Sequence, residues 1–234
     1  MPYSYMYSYG IEWVLIILSL IITFGAQAYI NSAYKKNKKI DTKKGLTGKE
    51  VARKILDKNG LKNVEVVETT GILSDHYDPR TKVVRLSSDI FSESSIAASS
   101  VAAHECGHAI QDKDGYAFLK FRNAIIPFVN ISSTLGYVAI MIGLLLGALG
   151  FLWIGIALEC VILLFQLITL PVEFNASRRG LKQLQELDLV DSKELSNSRS
   201  MLTAAALTYV ASVTATLLEI VRLLLIAKGR ERRR

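Results

Sequence analysis

Long apolar runs and short polar stretches alternate along the chain. Residues 13–30 carry no charged side chain, and residues 125–172 carry only one, Glu159, in 48 positions. Both runs meet or exceed the roughly 18 apolar residues that suggest a bilayer span. The first predicts a membrane helix over residues 11–30, with Glu12 and Trp13 at its outer end, where an interfacial aromatic belongs. As a single helix the second would be roughly 72 Å long at 1.5 Å per residue, against a hydrocarbon core of about 30 Å. Two helices joined near Gly147 and Gly150 fit instead, a hairpin that returns residue 172 to the side where residue 125 began. A third apolar stretch, 201–227, has an uncharged core of only 203–218 and is interrupted by Glu219 and Arg222. Its length favours a fourth span. Its basic tail, 230–234, favours a helix packed on the bundle with both ends on one side.

The segment between the first two runs reads as a small soluble domain, about residues 45–122. Thr47-Gly48-Lys49-Glu50 fits a capping box, Val51, Ile55 and Leu56 supply a helical stripe, and Gly60 closes that helix. Val64, Val66 and Val67 suggest a short strand. Residues 75–79 read as a turn, and residues 82–86 as a second strand, whose free edge could take an extended peptide by strand addition. Ser92 or Ser94 then caps a helix to about Gln111. That helix is rich in Ala and Ser and so can pack closely on a neighbour.

Composition sharpens this picture. The 234 residues are 50% hydrophobic, with 28 Lys+Arg against 21 Asp+Glu and a net charge of +7. The apolar runs exclude a purely soluble or a disordered chain, and four prolines without a repeat exclude collagen-like and solenoid arrays. Six lysines fall within residues 35–44, directly after the first run, where positive charge sets membrane orientation. No recognition motif accompanies the charge, so nucleic acid is not expected as a partner. Residues 1–10 lack Lys and Arg, the reverse of a secretory signal, so the first run is expected to be a retained anchor with its N-terminus outside. Cys106 and Cys160 are expected to be free thiols, which suits a reducing compartment. The sequons at Asn130 and Asn175 are chance matches in membrane-edge segments.

The candidate chemistry lies in His104-Glu105-Cys106-Gly107-His108, an H-E-x-x-H pattern on the predicted helix. Positions i and i+4 lie about 40° apart around a helix, so both imidazoles can reach one zinc ion. Glu105 beside them can act as general base. Random placement in a chain this poor in histidine gives roughly 0.002 such matches. Catalytic zinc takes three protein ligands plus water. No histidine follows His108, and His76 lies in the expected turn, where packing is the simpler role. Glu173, just after the apolar hairpin, is either a solvated carboxylate at the membrane edge or the third ligand. Zinc suits such a ligand set better than manganese or cobalt.

The stretches SVAAHECGHAIQ (100–111) and LPVEFNASR (170–178) resemble the YugP family of membrane zinc metallopeptidases. The layout of anchor, small domain, histidine helix, hairpin and second motif is similar as well. More distantly the chain is similar to the HtpX and CAAX-prenyl-protease type of gluzincin, which carries an E-F-x-A-D pattern after a membrane hairpin. The resemblance implies His104, His108 and Glu173 as ligands of one Zn²⁺ per chain and Glu105 as base. Ser177 departs from that pattern, where the relatives have an Asp thought to orient a ligand histidine; Ser177 or Asn175 could supply that bond. Arg178 and Tyr209 are candidates to stabilise a tetrahedral oxyanion. Glu159 is an ionisable group inside the hairpin, either functional or facing the bundle interior.

The expected fold is an α-helical integral membrane protein of about four membrane helices with a small α+β zincin-like cytoplasmic domain. Its divisions are an anchor (1–31), a linker and zincin-like segment (32–122), a hairpin (123–172), a third-ligand helix and polar segment (173–200) and a C-terminal apolar helix with basic tail (201–234). The expected function is zinc-dependent hydrolysis of peptide bonds in membrane or membrane-associated proteins. The expected place is the plasma membrane, multi-pass, with the site facing the cytoplasm. The expected partners are the lipid bilayer and a peptide or membrane-protein substrate, with an adaptor protein or a homo-oligomer left open. The alternatives are a non-proteolytic zinc-binding membrane adaptor and a zinc hydrolase of a non-peptide substrate.

Overall fold

A computed structural model describes residues 3–71 and 74–232 of the chain. The elements in order are α1 (Tyr3–Lys38), α2 (Gly48–Lys58), β1 (Glu65–Thr69), β2 (His76–Asp78), β3 (Val83–Ser87), α3 (Ser88–Ser92), α4 (Ile96–Lys113), α5 (Ala117–Leu145), α6 (Leu149–Glu186) and α7 (Ser192–Glu231). Among the described residues four helices, α1, α5, α6 and α7, are long and apolar enough to cross a membrane. Each runs beyond its apolar core. α1 continues through most of the lysine-rich stretch expected as a linker, and α6 continues from the hairpin through Glu173 to Glu186.

The chain divides into two compact units. One comprises Met1–Gln27, Phe121–Thr169 and Thr208–Arg234. Its core is aliphatic, built on Ile140, Leu152, Ile156, Ile220 and Leu223. Small residues let its helices touch: a Cβ on Gly143 would lie 2.7 Å from the Leu152 nitrogen, and one on Gly155 would lie 2.5 Å from Ile140 Cγ1. The α5–α6 hairpin turns at Gly147, whose φ of +68° suits glycine. The Arg230 guanidinium donates to the Gly143 and Leu144 carbonyls, which the end of α5 leaves without helical partners. Trp13, Phe24, Phe128 and Leu145 are 63–74% exposed. So much large apolar surface suits a hydrocarbon solvent rather than water.

The other unit comprises Ala28–Lys120 and Leu170–Leu207. α2 opens with the expected capping box: Glu50 N–H donates to Thr47 Oγ1, and Thr47 N–H to the Glu50 carboxylate. Its apolar face, Val51, Ile55 and Leu56, joins Val84 and Leu86 of β3 and the alanines of α4 in one buried core. The sheet has the order β1-β3-β2, with β1 parallel and β2 antiparallel to β3.

Three expectations are corrected here. Residues 76–78 form a strand rather than part of a turn, because Tyr77 pairs with Val84 and buries its ring against the core. The strand expected over 82–86 has no free edge, since β3 lies between its two partners. The cap of α4 is Ser95, not Ser92 or Ser94: Ser95 Oγ accepts from Ala98 N–H at 3.1 Å. Ser92 closes the separate α3, and the Ser94 carbonyl is engaged by Thr42 N–H at 2.8 Å.

α4 and α6 cross at almost bare backbone. A Cβ on Gly107 would lie 2.3 Å from the Ala176 carbonyl oxygen, and one on Gly180 would lie 2.6 Å from that of Ala103. Backbone cannot yield as a side chain can, so Gly107→Ala is expected to lower stability by about 1–3 kcal/mol. Thermal unfolding of the solubilised full chain measures it, with Gly60→Ala as a comparison, where a Cβ meets nothing within 4 Å and only the positive φ is strained.

Candidate metal centre

The crossing of α4 and α6 brings His104, His108 and Glu173 together. Their ligand atoms lie within 4.8 Å of one another. Both imidazole Nε2 atoms face one carboxylate oxygen of Glu173, at 3.3 Å from His104 and 3.6 Å from His108. The rings stand edge to face, with centroids 4.8 Å apart. His108 and Glu173 are buried.

Hydrogen bonds fix which ring nitrogen points inward. The Gln111 amide nitrogen donates to the Val172 carbonyl at 2.8 Å and to Asn175 Oδ1 at 3.0 Å. Its oxygen therefore faces His108 Nδ1, at 3.0 Å. A carbonyl oxygen only accepts, so Nδ1 carries the proton and Nε2 keeps its lone pair. Asn175 Oδ1 also accepts from Arg179 Nε at 2.7 Å, and Arg179 pairs with Asp114. His104 Nδ1 lies 3.0 Å from Ser177 Oγ. Two imidazole Nε2 atoms and a carboxylate oxygen thus converge at one place. Such an N/N/O donor set suits a cation of zinc's borderline character.

Glu105 is buried beside these ligands, and the Tyr77 backbone N–H hydrogen-bonds its carboxyl. Burial pushes that carboxyl up to about 7, offset in part by His104. Tyr77 also donates its hydroxyl to Asp112 on α4 at 2.7 Å, which ties β2 to the helix that carries the histidines. Asp75 accepts from the Ser87 N–H at 2.7 Å and from its hydroxyl, which holds the start of β2 against the end of β3.

His76 is exposed, contacts the Ser74 carbonyl and lies outside the cluster. Arg178 is exposed on α6, and Tyr209 belongs to the other unit. Cys106 is buried with its thiol on the Ala52 carbonyl, and burial pushes the thiol up, so it is a packing residue. Cys160 is a free, exposed thiol. Sequence reasoning missed Gln111, although its place three residues after His108 puts both on one helix face. It also missed Tyr77 and Asp75, which only the sheet brings to α4.

The chain is similar in sequence to known proteins. The profile of a family described as "putative neutral zinc metallopeptidase" matches residues 12–228. The "putative membrane protease YugP" of Bacillus subtilis (strain 168) is 43% identical over 212 residues, which cover 91% of this chain and 94% of that protein. No solved structure matches the chain. With that match spanning nearly its whole length, the chain belongs to this family of neutral zinc metallopeptidases.

Proposed function

We propose that the protein is a gluzincin-type zinc endopeptidase that cleaves peptide bonds of membrane or membrane-associated proteins. The observation that carries this reading is the convergence of His104 Nε2, His108 Nε2 and the Glu173 carboxylate beside the buried Glu105. Zinc held by those three groups would supply Lewis acidity, making water a nucleophile near neutral pH and polarising a carbonyl. Glu105 takes the proton that the attacking water sheds and returns it to the departing amine nitrogen. Ser177 and Gln111 hold the two imidazoles in the tautomer and orientation that binding requires. A site that only bound metal would have no use for Glu105, which argues against an adaptor.

The proposed place is the plasma membrane with the site on the cytoplasmic side. The lysines that follow the apolar part of α1 support that orientation. Glu173 follows the apolar run of α6 directly, which favours substrates presented at the bilayer surface.

Three variants test the reading. Glu105→Gln is expected to retain zinc and to lose at least about 100-fold in cleavage of a membrane-protein substrate; turnover equal to the wild type removes Glu105 as base. Glu173→Ala is expected to weaken zinc binding strongly in a competition titration with a chelator, and unchanged affinity removes it as a ligand. Gln111→Leu leaves His108 Nδ1 without its acceptor, and a loss of about 10–100-fold in zinc affinity is expected. An unchanged affinity in that titration removes Gln111 as an orienting residue.

A further inference from the structure

A cavity of about 480 Å³ lies along α6 and the first turns of α7, and Phe174 and Ser177 form part of its wall. It therefore begins at the residue after Glu173 and includes Ser177, whose hydroxyl contacts His104. Its size falls in the range of sites for small ligands and short peptide segments, about 300–1,000 Å³. Arg178 and Lys182 of α6 and Arg199 of α7 line it with positive charge, and among the described residues no acidic side chain lines it.

The two arginines differ from three others of this unit. Arg53, Arg85 and Arg179 each pair with an aspartate. Among the described residues, Arg178 and Arg199 have neither a hydrogen bond nor an ion pair from their guanidinium groups. Lys182 is shared with Glu186 at 3.5 Å. Leu181, Leu202 and Ala206 complete the wall with apolar surface. Two unspent planar donor groups above an apolar floor recognise a carboxylate on a chain with apolar neighbours, since a guanidinium fork matches the two oxygens.

We infer that this cavity is a subsite for a carboxylate of the bound peptide, either an Asp or Glu side chain or a free C-terminus, held by Arg178 and Arg199. The inference rests on the peptidase reading, which makes a peptide the molecule beside His104. A lipid phosphate offers similar oxygens, but the cavity's position one hydrogen bond from a candidate metal ligand favours the substrate.

The test uses the full chain in phosphatidylcholine nanodiscs, loaded with zinc and carrying Glu105→Gln so that peptides stay intact. Fluorescent decapeptides, acetylated and amidated, carry a single Glu or Gln moved through each position; a second set compares free and amidated C-termini. At one placement the carboxylate is expected to bind about tenfold more tightly than its neutral counterpart, the scale of a charge-assisted hydrogen bond. The two sets distinguish a side chain from a C-terminus. Arg178→Gln and Arg199→Gln are each expected to remove that preference. Thr203→Glu, which keeps both arginines but supplies them an internal carboxylate, is expected to do the same.

Equal binding of charged and neutral peptides, no binding at all, or a preference that survives all three variants overturns the inference. So does loss of the preference when phosphatidylglycerol is added to the nanodisc, which assigns the cavity to a lipid headgroup. Zinc-loaded protein with Glu105 intact separates the two readings. Charge-selective binding without cleavage sinks the peptidase reading and leaves the subsite; cleavage without charge selectivity does the reverse.

Discussion

The close crossing of α4 and α6 is the constraint on which the site depends. Gly107 meets the Ala176 backbone and Gly180 meets that of Ala103, so the two helices approach as near as backbone allows. Long side chains at these positions would hold the axes apart at the spacing of ordinary packing, about 8–10 Å. The reach of Glu173 toward two imidazoles is short, and a helix displaced outward by even one methyl group would open the donor set. The glycine inside the histidine motif thus has a task separate from the chemistry of its neighbours.

Polar groups then lock what the backbone contact brings together. Gln111 is completely buried and spends its amide on His108, Val172 and Asn175, so a single side chain joins His108 on α4 to the backbone of α6. Both histidines are oriented by neutral groups, a hydroxyl and an amide. A carboxylate in either place would raise the basicity of the imidazole it holds. On the other side of α4, Tyr77 fastens β2 through Asp112 and donates its backbone N–H to Glu105. The small sheet therefore serves the site by fixing one acidic group.

The helices that carry these residues also carry the apolar runs. α6 is apolar through Thr169 and holds Glu173, Asn175 and Ser177 within its next turns. No loop intervenes, so the position of Glu173 along the helix axis is set by covalent geometry at 1.5 Å per residue. α7 likewise brings Arg199 and Leu202 to the cavity where its apolar stretch begins.

The sequence by itself determined the local elements whose signals are local. The apolar runs gave the long helices, the capping box gave α2, and the spacing of His104 and His108 placed both imidazoles on one helical face. Glu173 could be approached only as an alternative until a family resemblance singled it out, because 65 residues separate it from His108. Where the sequence went astray, the deciding contacts were distant. Residues 76–78 read as a turn because three residues carry too little periodicity to reveal a strand, and only pairing with β3 makes them one. The cap of α4 moved to Ser95 because Thr42, more than fifty positions away, claims the Ser94 carbonyl. Tertiary structure alone decided that Ser177 meets His104, that Gln111 rather than Asn175 holds His108, and that Arg178 lines a cavity with Arg199. Ser177 reaches His104 and Arg178 shares a cavity with Arg199 across separate elements, while Gln111 is set beside His108 by its bonds to α6; each depends on how closely two helices pack, which no periodicity within either helix records.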